Sequence, residues 1–326
     1  MSEPARRRLE CSVRADRGLA AAVSLTVVGG GAGALQSRIN GELGVRLHDG
    51  IAAAAVSFGS GLVLLAVAVP LLPPGRRGLA ALRDALRDGK LRWWQCLGGT
   101  CGALFVVGQG VSAAALGIAV FTVAQVAGQT ASSLAVDRAG LGPAAPRALT
   151  GTRVAGAALC VVAVLIAVSG QLGTPRILAL AALPALAGVA VAWQQAVNGW
   201  VRVYAGSALP AAVVNFTAGC AALTLALAVD LALRGAPHRL PAEPWLYTGG
   251  AIGVAYIAVA AAVVQRTGVL LLGLGTIAGQ LIGAVVIDEA VPGGYARPGV
   301  ATLAGTALTL AAVGVAARPG RRTVPA

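Results

Sequence analysis

The chain reads as an all-α integral membrane protein: ten transmembrane helices arranged as a 5+5 inverted repeat. Composition, the spacing of the apolar runs and an internal duplication at fixed offsets all point this way. Of 326 residues, 57% are hydrophobic and 11% charged, and the mean hydropathy is +0.80. A soluble domain carries about a quarter charged residues. Too little polar surface is present here to cover a water-facing globule, so lipid is the main solvent. The 45 glycines suit helices that pack at close range inside a bilayer.

The net charge of +13 raises nucleic acid as a partner and then argues against it. The arginines sit in short gaps between apolar runs, and Lys90 is the one lysine. A basic, water-facing surface is therefore absent from the pattern, and no nucleic-acid partner is expected. Cys11, Cys96, Cys101, Cys160 and Cys220 form no C-x-x-C pair, and His48 and His238 fall in expected loops. Neither a metal nor another cofactor is expected. No G-x-x-x-x-G-K-[ST] motif occurs, so ATP hydrolysis by this chain is not expected. Arg6, Arg7 and Arg8 precede an apolar stretch from Leu19, as in a signal peptide. The stretch runs long, lacks a clear cleavage site and is followed by further spans, so it reads as an uncleaved first helix.

Apolar runs of about 20 residues are long enough to cross the hydrocarbon core. They lie near 19–40, 50–72, 93–112, 116–136, 152–170, 176–199, 207–231, 245–264, 268–288 and 299–317. The third-to-fourth and eighth-to-ninth connections are very short, which predicts antiparallel neighbours. Trp93, Trp94, Trp200 and Trp245 fall at span ends, where an aromatic belt sits. The organisation that follows is a basic N-terminus (1–18), a first five-helix unit (19–172), a second, inverted unit (173–317) and a tail (318–326). With an even number of spans, 19 of the basic residues fall on the side of both termini and 6 on the other. That asymmetry predicts cytoplasmic termini in the cell membrane. Between the second and third spans, residues 75–92 are basic and contain Leu79, Leu82, Leu86 and Leu91. A short helix on the anionic inner leaflet and a solvated loop both fit this pattern.

The duplication is explicit. Gln36, Asn40, Gly41, Phe58 and Gly61 recur 158 residues later as Gln194, Asn198, Gly199, Phe216 and Gly219. Gly98, Gly99, Gly102, Gly117, Gly128, Gln129 and Asp137 recur 151 residues later as Gly249, Gly250, Gly253, Gly268, Gly279, Gln280 and Asp288. Each unit has five spans, so the second enters the membrane upside down. Inverted repeats are the usual architecture of alternating-access transporters.

The stretches GALQSRINGELG, VSFGSGLVLL, WWQCLGGTCGALFV and VAGQTASSLAVDRAGL, with WQQAVNGW, VVNFTAGCAAL and IAGQLIGAVVID in the second half, resemble the YdcZ-type inner-membrane exporters. These belong to the drug/metabolite transporter superfamily, and the resemblance covers about residues 19–317. It implies a ten-helix bundle, in this case two fused five-helix units, moving small molecules across the cytoplasmic membrane. It implies no particular substrate. One departure stands out. The four-helix multidrug members of the superfamily couple protons through a glutamate in the first helix, where this chain has Gln36 and Asn40 and no acid.

Gln36 and Asn40 are spaced i, i+4 and share a helix face, as do Gln194 and Asn198. Amides in lipid-embedded helices face the bundle interior, either lining a path or gluing helices together. Their depths, outer for the first pair and inner for the second, suit two gates. Ser57 and Asn215 are equivalent positions, each followed by a phenylalanine, Phe58 or Phe216, that reads as packing. Gln129 and Gln280 lie about 12 residues into their spans, near the bilayer midplane. There a pseudo-two-fold axis would bring them face to face as the substrate site or as a locking pair. Gly275, Gly279 and Gly283, repeated as Ala124, Gly128 and Ser132, form ridges for close packing. Asp137 and Asp288 close the fourth and ninth spans, where an acid is unfavourable with the helix dipole. They read as interface carboxylates or as coupling acids. The leading expectation is a monomeric secondary transporter for a small molecule, an exporter, with membrane lipid around it. An intramembrane enzyme acting on lipid, a channel and a non-transporting structural protein are the alternatives. The clustered acids or His/Ser/Asp sets that an enzyme needs are missing.

Overall fold

A computed structural model describes residues 3–143, 150–167, 169, 175–235, 239–290 and 298–317. Its helices are α1 (Glu3–Leu47), α2 (Gly50–Leu71), α3 (Pro73–Arg87), α4 (Gly98–Gly108), α5 (Ala114–Leu116), α6 (Ile118–Arg138), α7 (Gly151–Ala167), α8 (Pro175–Ala205), α9 (Ala208–Arg234), α10 (Gly249–Ala290) and α11 (Val300–Ala317). No strand occurs among the described residues. Among the described residues, six helices are long and apolar enough to cross a membrane: Ala20–Leu47, Gly50–Leu71, Trp93–Leu116, Ile118–Arg138, Pro175–Ala205 and Ala208–Arg234. Gly151–Ala167 and Val300–Val315 are shorter apolar helices. The stretch of leucines and arginines after the second span is helical, as α3, rather than a loop.

The two halves interleave. The most extensive contacts pair α1 with α10, α6 and α4 with α8, α7 with α11, and α2 with α9, each joining one half to the other. Glycine makes these approaches possible. A methyl group at Gly128 would fall 1.9 Å from the Ala185 carbonyl oxygen, and one at Gly279 the same distance from that of Val27. Gly99 stands 1.8 Å in that sense from Asn215 O, and Gly250 2.1 Å from Ser57 O. Every one of these contacts has its repeat-related twin.

The short connections reverse direction. Along α8, α4 runs backwards, with Gly98 facing Asn198 and Gly102 facing Gln194. α6 runs forwards, with Gly128 on Ala185 and Ser132 donating to Val189 O at 3.1 Å. The reversal uses a π-helical turn, Gln109–Ala113, and Gly117 at φ +80°. In the second half α10 is helical throughout, yet its ends also run oppositely along α1. Gly249 and Gly253 face Asn40 and Gln36, Tyr256 touches Gly29, and Thr276 and Gly279 touch Gly30. A straight helix would separate residues 256 and 276 by about 30 Å, so α10 folds back between two arms.

α2 and α9 cross at the centre. Gly61 meets the Phe216 ring and Gly219 meets the Phe58 ring, so the two helices are antiparallel. The rings of Phe58 and Phe216 lie 5.0 Å apart between centroids. Because these two residues are repeat equivalents, the pseudo-two-fold axis passes between them, perpendicular to the helices.

Candidate functional site

Two sets of amides flank this phenylalanine pair. Asn40, fully buried, donates from Nδ2 to Gln109 Oε1 at 2.7 Å. Gln109 Nε2 donates to Ser37 Oγ at 2.7 Å, and Ser37 donates to Gly33 O at 3.1 Å. Asn40 Oδ1 and Ser57 Oγ are buried without a hydrogen-bond partner. Both face Gly249, where a Cβ would lie 2.4 Å and 3.0 Å from them. Gln36 Nε2 faces Gly253, which also touches the Phe216 ring.

The second set repeats the first with one difference. Gln194 Nε2 and Asn198 Nδ2 both donate to Asn215 Oδ1, at 2.8 and 2.9 Å. Asn198 Oδ1 faces Gly98, and Gln194 Nε2 faces Gly102, which also touches the Phe58 ring. In the first half the position of Asn215 is held by Ser57, whose side chain is too short to accept from both amides. Asn40 turns to Gln109 instead, and two acceptor oxygens stay open.

Gln129 and Gln280 do not meet, and no hydrogen bond joins them. Gln129 accepts from Gln125 at 2.6 Å on its own helix, beside Gly188 of α8. Gln280 lies against Gly30 and Gly33 of α1. The axis passes through the phenylalanines, which leaves each glutamine at a different seam. The two acids also part company. Asp137 pairs with Arg153. Asp288, 5% exposed, accepts from Ile118 N at 3.1 Å and Ala119 N at 2.8 Å. It therefore caps α6 from across the molecule, stabilised there by the positive end of the helix dipole. The N-cap residue of α6 is Gly117, which has no side chain for the task. Asp288 is thus a buried cap and not a solvated interface carboxylate.

Gln109 was not singled out by sequence reasoning. Its equivalent 151 residues on is Ala260, so comparing the halves passes over it. The signal available was an isolated amide deep in an apolar run. The π-helical turn that it opens is a feature often found at functional sites.

Apolar helices in two interleaved, oppositely directed copies, with buried amides at their crossing, define a multi-pass membrane protein built from a duplicated unit. The family model described as "Putative inner membrane exporter, YdcZ", of the drug/metabolite transporters, matches residues 21–166 and again residues 179–316. The chain belongs to this family, as a tandem fusion of two copies, and is a multi-pass protein of the inner membrane. No curated protein matches it. A solved structure described only as "Crystal structure of protein" has a TM-score of 0.54 and 19% identity, over 91% of this chain and 96% of that one. That likeness shows the fold alone.

Proposed function

We propose that this protein is a secondary transporter that exports a small, uncharged, hydrogen-bonding molecule by alternating access, with the substrate held at the Phe58–Phe216 crossing. The observation that carries this reading is the antiparallel crossing of equivalent helices with an amide set on each side. Exchanging the conformations of two inverted repeats turns an inward-open state into an outward-open one. Ten spans follow if the six long helices, α7, α11 and the two arms of α10 all cross the bilayer. The arginine asymmetry puts both termini in the cytoplasm.

Gln36, Asn40 and Ser57 form one wall of the site and Gln194, Asn198 and Asn215 the other. The open oxygens of Asn40 and Ser57 favour a substrate bearing N–H or O–H donors, because an unsatisfied buried acceptor costs about 1–3 kcal/mol. Gln129 and Gln280 line the path at the two seams. Among the acids Asp288 is the better candidate for coupling, since a change in its charge would act directly on the end of α6.

The test is flux in proteoliposomes, with substrates drawn from the metabolites that an overexpressing strain releases. Saturable net flux separates a transporter from a channel, and unchanged substrate separates it from an enzyme. Gln36→Leu, Gln194→Leu, Gln129→Leu and Gln280→Leu should each lower flux about tenfold, the loss of one hydrogen bond of about 1.4 kcal/mol, in protein that still folds and inserts. Wild-type flux in all four variants would overturn the site.

A further inference from the structure

Among the described residues the second half holds no helix equivalent to α3 between α9 and the Pro244–Tyr247 turn. Its buried face is Gly75, Gly78, Leu82 and Ala85. That face does not rest on its own repeat alone. A Cβ at Gly78 would lie 2.6 Å from the Pro210 ring and 2.8 Å from Ala205 O, and Leu82 and Ala85 cluster with Val201, Ala205 and Ala211. α3 therefore straps the end of α2 to the α8–α9 turn of the other half.

The exposed sides of α3 are sorted. At about 100° per residue, Leu79 and Leu86 share one stripe beside the buried face, 36% and 41% exposed. They continue an apolar ledge from Leu71 and Leu72 at the end of α2, 73% and 42% exposed. Arg76, Arg83 and Arg87 form a second stripe, about 70° further round. Asp84 and Arg77 lie beyond it. Arg76, Arg83 and Arg87 are exposed, and none makes an ion pair among the described residues. Arg77 is turned back to Pro73 O at 3.4 Å. A leucine ledge bordered by unpaired arginines, at the end of a membrane-spanning helix, matches the step from acyl chain to phosphate at a bilayer surface.

We propose that α3, which lies on the cytoplasmic side in the topology proposed above, is a binding site for an anionic phospholipid of that leaflet. Leu71, Leu79 and Leu86 lie along its acyl chains, and Arg76, Arg83 and Arg87 hold its phosphate. Because α3 is packed on the α8–α9 turn, the bound lipid steadies one end of the second repeat. The repeat-equivalent turn, between α1 and α2, carries no such helix among the described residues. There Arg46 is bound by Glu42 and Glu243, so a second lipid site of this kind does not form on it.

The full-length protein in detergent is titrated with phosphatidylglycerol, and with phosphatidylcholine as the zwitterionic reference, and bound lipid is counted by native mass spectrometry. Phosphatidylglycerol should be retained selectively. Each basic side chain near an anionic surface is worth about fivefold in affinity, so R83Q/R87Q should bind about 30-fold more weakly. R83K/R87K should bind nearly as the parent. R176Q/R239Q, which removes the same charge from exposed positions away from α3, should bind unchanged. All three variants should melt as the parent does in lipid-free detergent, since these side chains are exposed. Should R83Q/R87Q fail that check, the single variant R76Q, expected to weaken binding about fivefold, replaces it. Inorganic phosphate should not displace the lipid. Equal retention of the two lipids, parental binding by R83Q/R87Q, or displacement by phosphate would each overturn the proposal.

Discussion

At the scale of single residues, the close helix approaches make sharp distinctions among glycines. At Gly99 a methyl group would fall 1.8 Å from a backbone oxygen, while at Gly59 it would meet nothing within 4 Å. Both are helical, so propensity treats them alike. Gly99→Ala should destabilise the protein by about 2 kcal/mol or more, since backbone must move to relieve the overlap. Gly59→Ala should be neutral or stabilising by about 0.5–1 kcal/mol. Melting of the two variants in the same detergent checks this, and similar midpoints would contradict the packing. Gln36, Asn40, Gln194 and Asn198 were legible in the sequence because amides at i, i+4 recur in both halves. The hydrogen bonds that they make were not. Those depend on the lengths of Ser57 and Asn215, and on Gln109, which arrives from a helix about 70 residues away.

At the scale of elements, the end of one helix is completed by another. Asp288 closes α10, where its charge opposes the dipole of its own helix, and gains the first N–H groups of α6 instead. Asp288→Asn should cost about 1–2 kcal/mol, as the loss of a charged cap does. Asp137→Asn should cost less, because its carboxylate is 37% exposed in the pair with Arg153 and an asparagine oxygen can still accept from the guanidinium. Denaturation curves of the two variants test the order, and an equal or reversed cost would argue against the cap. The acids themselves could be found by aligning the halves. Their different fates could not, since Gly117 and Gly268 are the same residue type. Gly117 adopts φ +80° and opens a helix end, while α10 is helical through Gly268. The existence of spans was legible from apolar length. The reversal inside α10 was legible only as a short connection, and its form depends on α1 lying between the arms.

At the scale of the whole molecule, interleaving predicts how the protein comes apart. The two halves exchange their largest contacts, so neither has a core of its own. Residues 1–172 and 173–326 expressed separately should be degraded, and expressed together they should co-purify. Recovery of either half alone as a stable, folded protein would refute the interleaving. One chain already supplies both orientations of the unit, so light scattering should give the mass of a single chain. A reporter fused at Ala326 should be active in the cytoplasm. The sequence alone was enough for the membrane class, the duplication and the family. Each rests on composition or on residue spacing along the chain, which folding does not alter. The place of the centre was a tertiary decision. Phe58 and Phe216, read as packing, lie on the axis, while Gln129 and Gln280, read as the centre, lie at the seams. A repeat in sequence says which residues are equivalent. Where their axis passes depends on how deeply helices interlock, and that is set by glycines whose open side is known only once a neighbour fills it.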